Sequence, residues 1–157
     1  MDEIARLIAI AEIRHLKACY FRGLDEKDEG LLRKVFATDV ELDYRGSTTD
    51  SSTGATAASN ATGEVLRGGE RSARLITEAL AGIVSVHHCS EPEIEIVDGE
   101  NASAIWPMVD RLTFPAGHAY REMTGYGHYR ETYVKEDGRW RIRTLRLTRL
   151  RLDFTSA

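Results

Sequence analysis

Residues 102–114 read ASAIWPMVDRLTF. Ala102, Ala104, Trp106, Met108, Asp110 and Leu112 occupy every second position, and a period of two marks a β-strand with one buried face. The stretches around it keep that period. Upstream lie EIEIV (93–97) and a turn at DGEN (98–101). Downstream come TGYGHYRETYV (124–134), a turn at EDGR (136–139), and WRIRTLRLTRLRLDF (140–154). The Asp-Gly pairs at 98–99 and 137–138 are strong short-range hairpin signals. The second half of the chain therefore reads as an antiparallel meander.

The first half has a different period. In residues 3–22, Ile4, Leu7, Ile8 and Ala11 follow helical spacing, and Ile10, Ile13 and Leu16 widen the stripe; Gly23 is the expected stop. A short helix is expected in DEGLLRKVFA (28–37) with Asp28 as N-cap. In DVELDYRG (39–46), Val40, Leu42 and Tyr44 alternate with Glu41 and Asp43, a strand with one buried face. Residues 46–63, GSTTDSSTGATAASNATG, are poor in apolar bulk and read as a long mobile loop, functional or a plain insertion. Helical period returns in GGERSARLITEALAG (68–82). Helices followed by a meander predict an α+β fold, in which helices on one face of a curved sheet enclose a pocket.

The chain has 157 residues, 42% hydrophobic and 29% charged, with a formal net charge of −4. That predicts one domain over residues 1–157. The negative charge argues against nucleic acid, whose phosphates demand positive surface. No apolar run reaches the roughly 18 residues of a membrane span. The acidic, periodic start is unlike a signal peptide. Cys19 and Cys89 have no ligand-like spacing and read as reduced thiols of a cytoplasmic protein.

Several residues pose a chemical question. An unpaired buried charge costs several kcal/mol, so Asp110 sits near the sheet edge, has a partner, or lines a wet cavity. Tyr44 should point inward from its strand. Tyr44, like Tyr20 near the end of the first helix, is either a core phenol bonded to backbone or a donor aimed at a substrate oxygen. Asp25 follows the helix stop and reads as a turn residue unless it finds a partner. Of the late arginines, Arg149 alone follows Leu145 and Leu147 on their face, placed to pair with an inward carboxylate or hold an anionic oxygen. His87 and His88, in VSVHHCSEPEIEI (84–96), are ordinary loop histidines or a general base oriented by a distant carboxylate. Zinc usually needs three or four protein ligands and no second cluster stands nearby, so no metal site is expected.

Taken in order, these elements resemble the SnoaL-like branch of the nuclear transport factor 2-like superfamily. The order is a helix ending in Tyr20 and GLDEKDEG, a strand ending in Tyr44, a helix, SVHHCSEPEIEI, AIWPMVD, GYGHYRETYVKEDGRWRI and LTRLRLD. Within that branch the likeness is to the group holding scytalone dehydratase, hexachlorocyclohexane dehydrochlorinase and bile-acid 7α-dehydratase. It covers nearly the whole chain and is weakest at 46–63, where those enzymes have a shorter connection.

The resemblance implies a cone-shaped α+β barrel around a deep apolar pocket, with a catalytic Asp–His dyad. The aspartate maps to Asp25 and the histidine to His87. Strict alternation back from Ile94 and Ile96 would turn His88 inward instead, but Pro92 interrupts that ladder. Tyr20 and Tyr44 match the pocket tyrosines, Asp110 the inward acid, and Arg149 the late-strand arginine. Trp106, Met108 and the tyrosines imply a small apolar polycyclic, aromatic or terpenoid substrate. The implied reaction is a cofactor-independent elimination of the dehydratase type. Isomerase or cyclase chemistry in the same pocket, or plain ligand binding, are the alternatives. A homo-oligomer, trimer or dimer, built through the outer sheet face is also implied.

Overall fold

The computed structural model describes residues 1–57 and 63–157. In chain order the elements are α1 (Glu3–Glu26), α2 (Glu29–Val35), β1 (Phe36–Asp43), β2 (Leu66–Arg67), α3 (Gly69–Ala79), β3 (Val84–Cys89), β4 (Glu93–Ile96), β5 (Asn101–Thr113), β6 (Tyr120–Glu136) and β7 (Arg139–Ser156). One curved, unclosed sheet runs β2-β1-β7-β6-β5-β3, and β4 continues the β3 edge along β5. All pairings are antiparallel except β1 with β7, which is parallel. The three helices and this sheet make the expected α+β cone. Its main core lies between the helices and the inner sheet face, where Ile13, Tyr20 and Leu32 meet Leu42, Tyr129 and Ile142. Among the described residues, no helix is long and apolar enough to cross a membrane.

Helix α1 differs from the sequence expectation in two ways. It runs through Gly23 and ends at Lys27, which takes the left-handed conformation at φ 56°. Gly23 serves packing instead: a Cβ there would lie 2.8 Å from Leu32 Cδ2, so its absence lets α2 close on α1. Asp25 is therefore a residue of the helix's last turn. The buried face also follows the expected stripe only in part, at Ile13 and Leu16. Ile4, Leu7 and Ile8 are 71%, 59% and 54% exposed, and burial begins at Ala9 and continues through Ile13, Leu16, Tyr20 and Leu24. Asp28 caps α2 as expected, its carboxylate accepting from Leu31 N–H at 2.9 Å.

The β3 edge contains a bulge. Cys89 pairs with Met108 and Glu93 with Ile105, so residues 90–92 face only residues 106–107. One extra residue on this side reverses the inward–outward parity between β3 and β4. Pro107 explains the position. Its carbonyl accepts from Ser90 N–H at 2.9 Å, so its hydrogen-less nitrogen faces the same edge, where a regular ladder would lack a donor. Ser85 and His87 thus turn inward, and His88 is exposed. A second bulge separates Arg149 from Arg151 where β7 pairs with Gly127 and Tyr126, which leaves Leu150 exposed.

The segment after β1 is organised over its described part. Thr49 and Thr56 bridge it, Asp50 accepts from Ser52 and Thr53 N–H, and Ala57 N–H donates to the Thr48 carbonyl at 3.0 Å. The remainder of the expected 46–63 loop, residues 58–62, lies outside the described residues.

Candidate active site

Asp25 projects from the last turn of α1 to the edge strand β3. Its Oδ1 lies 2.6 Å from His87 Nδ1 and accepts from Ser85 Oγ at 3.0 Å; its Oδ2 accepts from His87 backbone N–H at 3.0 Å. That N–H is available because, among the described residues, β3 has no neighbouring strand on this side. Burial pushes the Asp25 carboxyl up, but the hydrogen bonds from the His87 ring and backbone, the His87 charge and Ser85 outweigh it. Asp25 ends below its ordinary value. An ionised carboxylate only accepts, so His87 Nδ1 carries a proton, and in the neutral imidazole Nε2 is then the acceptor nitrogen. The Lys27 ammonium donates to the Asp25 carbonyl at 3.0 Å and to Ser85 Oγ at 3.1 Å, closing the back of the site. Phe21 stacks on the imidazole at 5.8 Å between centroids and 16° between planes.

Across the ring, His87 Nε2 is 3.9 Å from Asp110 Oδ2. Asp110 is buried and holds Arg149 in a two-pronged pair, Nη1 to Oδ1 at 2.9 Å and Nη2 to Oδ2 at 2.7 Å. Arg149 Nε donates to the Ser47 carbonyl at 2.7 Å, and Nη1 reaches Met108 Sδ at 3.4 Å. Room for the pair comes from Gly125, opposite Asp110 on β6: a Cβ there would overlap both the guanidinium and the carboxylate. Gly127 similarly makes room for the Thr148 carbonyl at the β7 bulge.

A cavity of about 590 Å³ opens on these groups. His87, Asp110, Arg149, Tyr20, Tyr44 and Tyr129 line it, with an apolar wall that includes Leu66, Ile76, Leu80, Leu112, Phe114 and Leu147. Asp25 stands behind His87 and is not a lining residue. The hydroxyls of Tyr20 and Tyr44 are bonded to each other at 2.7 Å. Burial pushes the phenols of Tyr20, Tyr44 and Tyr129 well above the ordinary tyrosine value, so each keeps its proton to donate.

Trp106 and Met108, expected on the wall, are not among the lining residues. The Trp106 indole N–H is spent on Tyr133 Oη at 2.8 Å, and the Met108 sulfur lies against Arg149. Trp106 belongs to a second buried network, in which Glu131 holds both the Lys17 ammonium and the Tyr133 hydroxyl. The ammonium sits 3.7 Å from the ring centroid of Tyr129 and 4.4 Å from that of Tyr20, behind the rings that face the cavity. Burial pulls Lys17 below the usual lysine value, and Glu131 opposes that shift.

The sequence reading had singled out neither Ser85, Lys27, Tyr129 nor the Lys17–Glu131 pair. A signal existed for Tyr129 and Glu131, which alternate with Gly125, Gly127 and Tyr133 on the inner face of β6. Lys27 and Ser85 meet across 58 positions and left no local pattern.

The arrangement is an imidazole held from behind by a carboxylate and facing an apolar cavity lined by phenol hydroxyls. Comparison with known proteins agrees with the fold expectation. A family model described as SnoaL-like domain matches residues 5–146. No curated protein sequence matches the chain. Among solved structures, a type 2 hexachlorocyclohexane dehydrochlorinase (LinA) superposes with a TM-score of 0.77 at 18% identity, covering 99% of this chain and 95% of that one. A scytalone dehydratase-like protein of Novosphingobium aromaticivorans gives 0.80 at 17% identity, covering 99% and 93%. The LinA-type3 dehydrochlorinase of Novosphingobium barchaimii gives 0.75 at 18%, covering 98% and 94%.

Proposed function

The chain belongs to the SnoaL-like domain family, and from that premise and the dyad geometry we propose that it is a cofactor-independent lyase performing a dehydratase-type elimination on a small apolar ring compound. The observation that carries the reading is the 2.6 Å contact between Asp25 and His87 Nδ1, which fixes the imidazole with Nε2 as the nitrogen free to act on the cavity side. In this reaction Nε2 takes the proton from a carbon next to a carbonyl. The C–H electron pair forms the new double bond, and the C–O bond to a β-hydroxyl breaks. The departing hydroxide takes the proton back from the imidazolium and leaves as water, which restores neutral His87. Asp25 stabilises the imidazolium and holds its tautomer. Tyr129 and the member of the Tyr20–Tyr44 pair whose proton is not given to the other donate to the carbonyl oxygen as charge develops there. The dehydrochlorinases and the scytalone dehydratase-like protein that share the fold lend the chemistry support by analogy.

The test is mass spectrometry after incubating the protein with two- and three-ring β-hydroxy ketones. Products lighter by one water are expected, and His87→Ala should slow their formation by about 10²–10⁴, the usual contribution of a positioned base. Products of unchanged mass would make the enzyme an isomerase or cyclase. Turnover unaffected by His87→Ala would sink the dyad mechanism.

A further inference from the structure

Among the described residues lining the cavity, the ionisable groups apart from the phenols are Glu78, His87, Asp110 and Arg149, and Arg149 is the permanent cation. A free guanidinium beside a base would ordinarily read as a carboxylate or phosphate anchor. Here it is already committed. Four of its five N–H groups are engaged: one donates to the Ser47 carbonyl, two to the Asp110 carboxylate, and one lies against Met108 Sδ. The pair is desolvated, with side chains 9% and 4% exposed. An anion entering the cavity would shed its water, meet the Asp110 carboxylate, have Asp25 just behind His87, and find Glu78 exposed on the wall. What the cavity does offer is neutral: the Tyr129 phenol, the mutually bonded Tyr20–Tyr44 pair, and the buried Thr48 hydroxyl, which has no hydrogen-bond partner among the described residues. A buried hydroxyl left open in a ligand-sized cavity points to an oxygen on the occupant.

We propose that Asp110 sets the charge selectivity of this site: by occupying Arg149 it restricts the cavity to uncharged ring compounds bearing hydroxyl or carbonyl oxygens, and excludes free acids and phosphorylated forms. The inference rests on the cavity being the substrate site, as the elimination reading has it. Asp110 acts as a specificity residue, and replacing it changes which charge is accepted. Asp110→Asn frees the guanidinium for an anion; Arg149→Gln leaves the carboxylate free for a cation.

The experiment is fluorescence titration of the whole protein with three matched probes, anthracenemethanol, anthracenecarboxylate and anthracenemethylammonium, near neutral pH. Wild type should bind the alcohol at least about tenfold tighter than the carboxylate, a difference of about 1.4 kcal/mol. Asp110→Asn should narrow that ratio about tenfold or invert it, and Arg149→Gln should shift preference toward the ammonium probe. Should one variant fail to fold, the other and the wild-type ranking still decide. Carboxylate binding as tight as alcohol binding in wild type, an unchanged ranking in a folded variant, or no binding of the alcohol would each overturn the proposal. The two readings fail separately: loss of the lyase reading shows as absent elimination with the probe ranking intact, and loss of this one as anion preference in an enzyme that still eliminates water.

Discussion

Asp25 is ionised because its neighbours overcome its burial, and this has a pH consequence of definite sign. A carboxyl whose folded value lies below its unfolded value of about 3.9 contributes stability above that pH. The contribution is lost as pH falls through the folded value. The urea midpoint of wild type should therefore drop more steeply between about pH 5 and about pH 3 than that of Asp25→Asn; parallel slopes would mean the carboxylate is not held as described. Gly125 offers a second test at this scale. Its Cβ would overlap the Asp110–Arg149 pair, so Gly125→Ala should cost about 1–3 kcal/mol by overpacking. In a chain of this size that is roughly 2–4 °C of Tm per kcal/mol, readable by calorimetry. Sequence alone placed Asp110 in a buried row and Arg149 beyond two leucines. It could not show that the two meet, because a pair 39 positions apart leaves no local period. The glycines opposite them in GYGHY mark where that meeting needs space.

Helix α1 carries two polar commitments to the sheet, Asp25 to β3 near its end and Lys17 to β6 in its middle. The Lys17–Glu131 pair is fully enclosed, with side chains 1% and 0% exposed. Removing one partner of such a pair leaves an uncompensated charge. Lys17→Met should accordingly destabilise by about 3–5 kcal/mol, and the double variant Lys17→Met/Glu131→Leu should recover much of the loss. Chemical denaturation of the four proteins in that cycle measures the coupling; equal losses in the single and double variants would contradict it. Helical period located α1 correctly and caught Ile13 and Leu16 of its buried face, but misplaced where that face begins. Ile4, Leu7 and Ile8 have the spacing of a core stripe, yet burial starts only at Ala9. Spacing reports which residues share a face, not which face another element covers. Gly23 misled for a related reason, since a glycine that permits close approach looks the same in sequence as one that ends a helix.

At the scale of the molecule, the curved sheet and helices form the wall of one cavity, so occupancy and stability are linked. An uncharged ring ligand that binds only the folded state should stabilise it by about 2.7 kcal/mol at a hundred times its Kd, and so raise Tm with concentration. A thermal-shift titration that stays flat while fluorescence reports binding would place the ligand outside the folded cavity. The architecture was legible in the order of helices, meander and turns, and the family match over residues 5–146 agrees with it. The parallel contact between β1 and β7 was not, since it joins segments about a hundred positions apart without a turn signal. Nor was the orientation of the histidine pair, which the extra residue at 90–92 decides from outside the pair itself. That extra residue bears on how relatives are to be aligned. A single gap assigned to the wrong side of Pro92 exchanges the inward imidazole for its solvent-facing neighbour, so a column of histidines that looks invariant could hold two non-equivalent side chains, and a relative one residue shorter there should be superposed before its histidine is matched to His87.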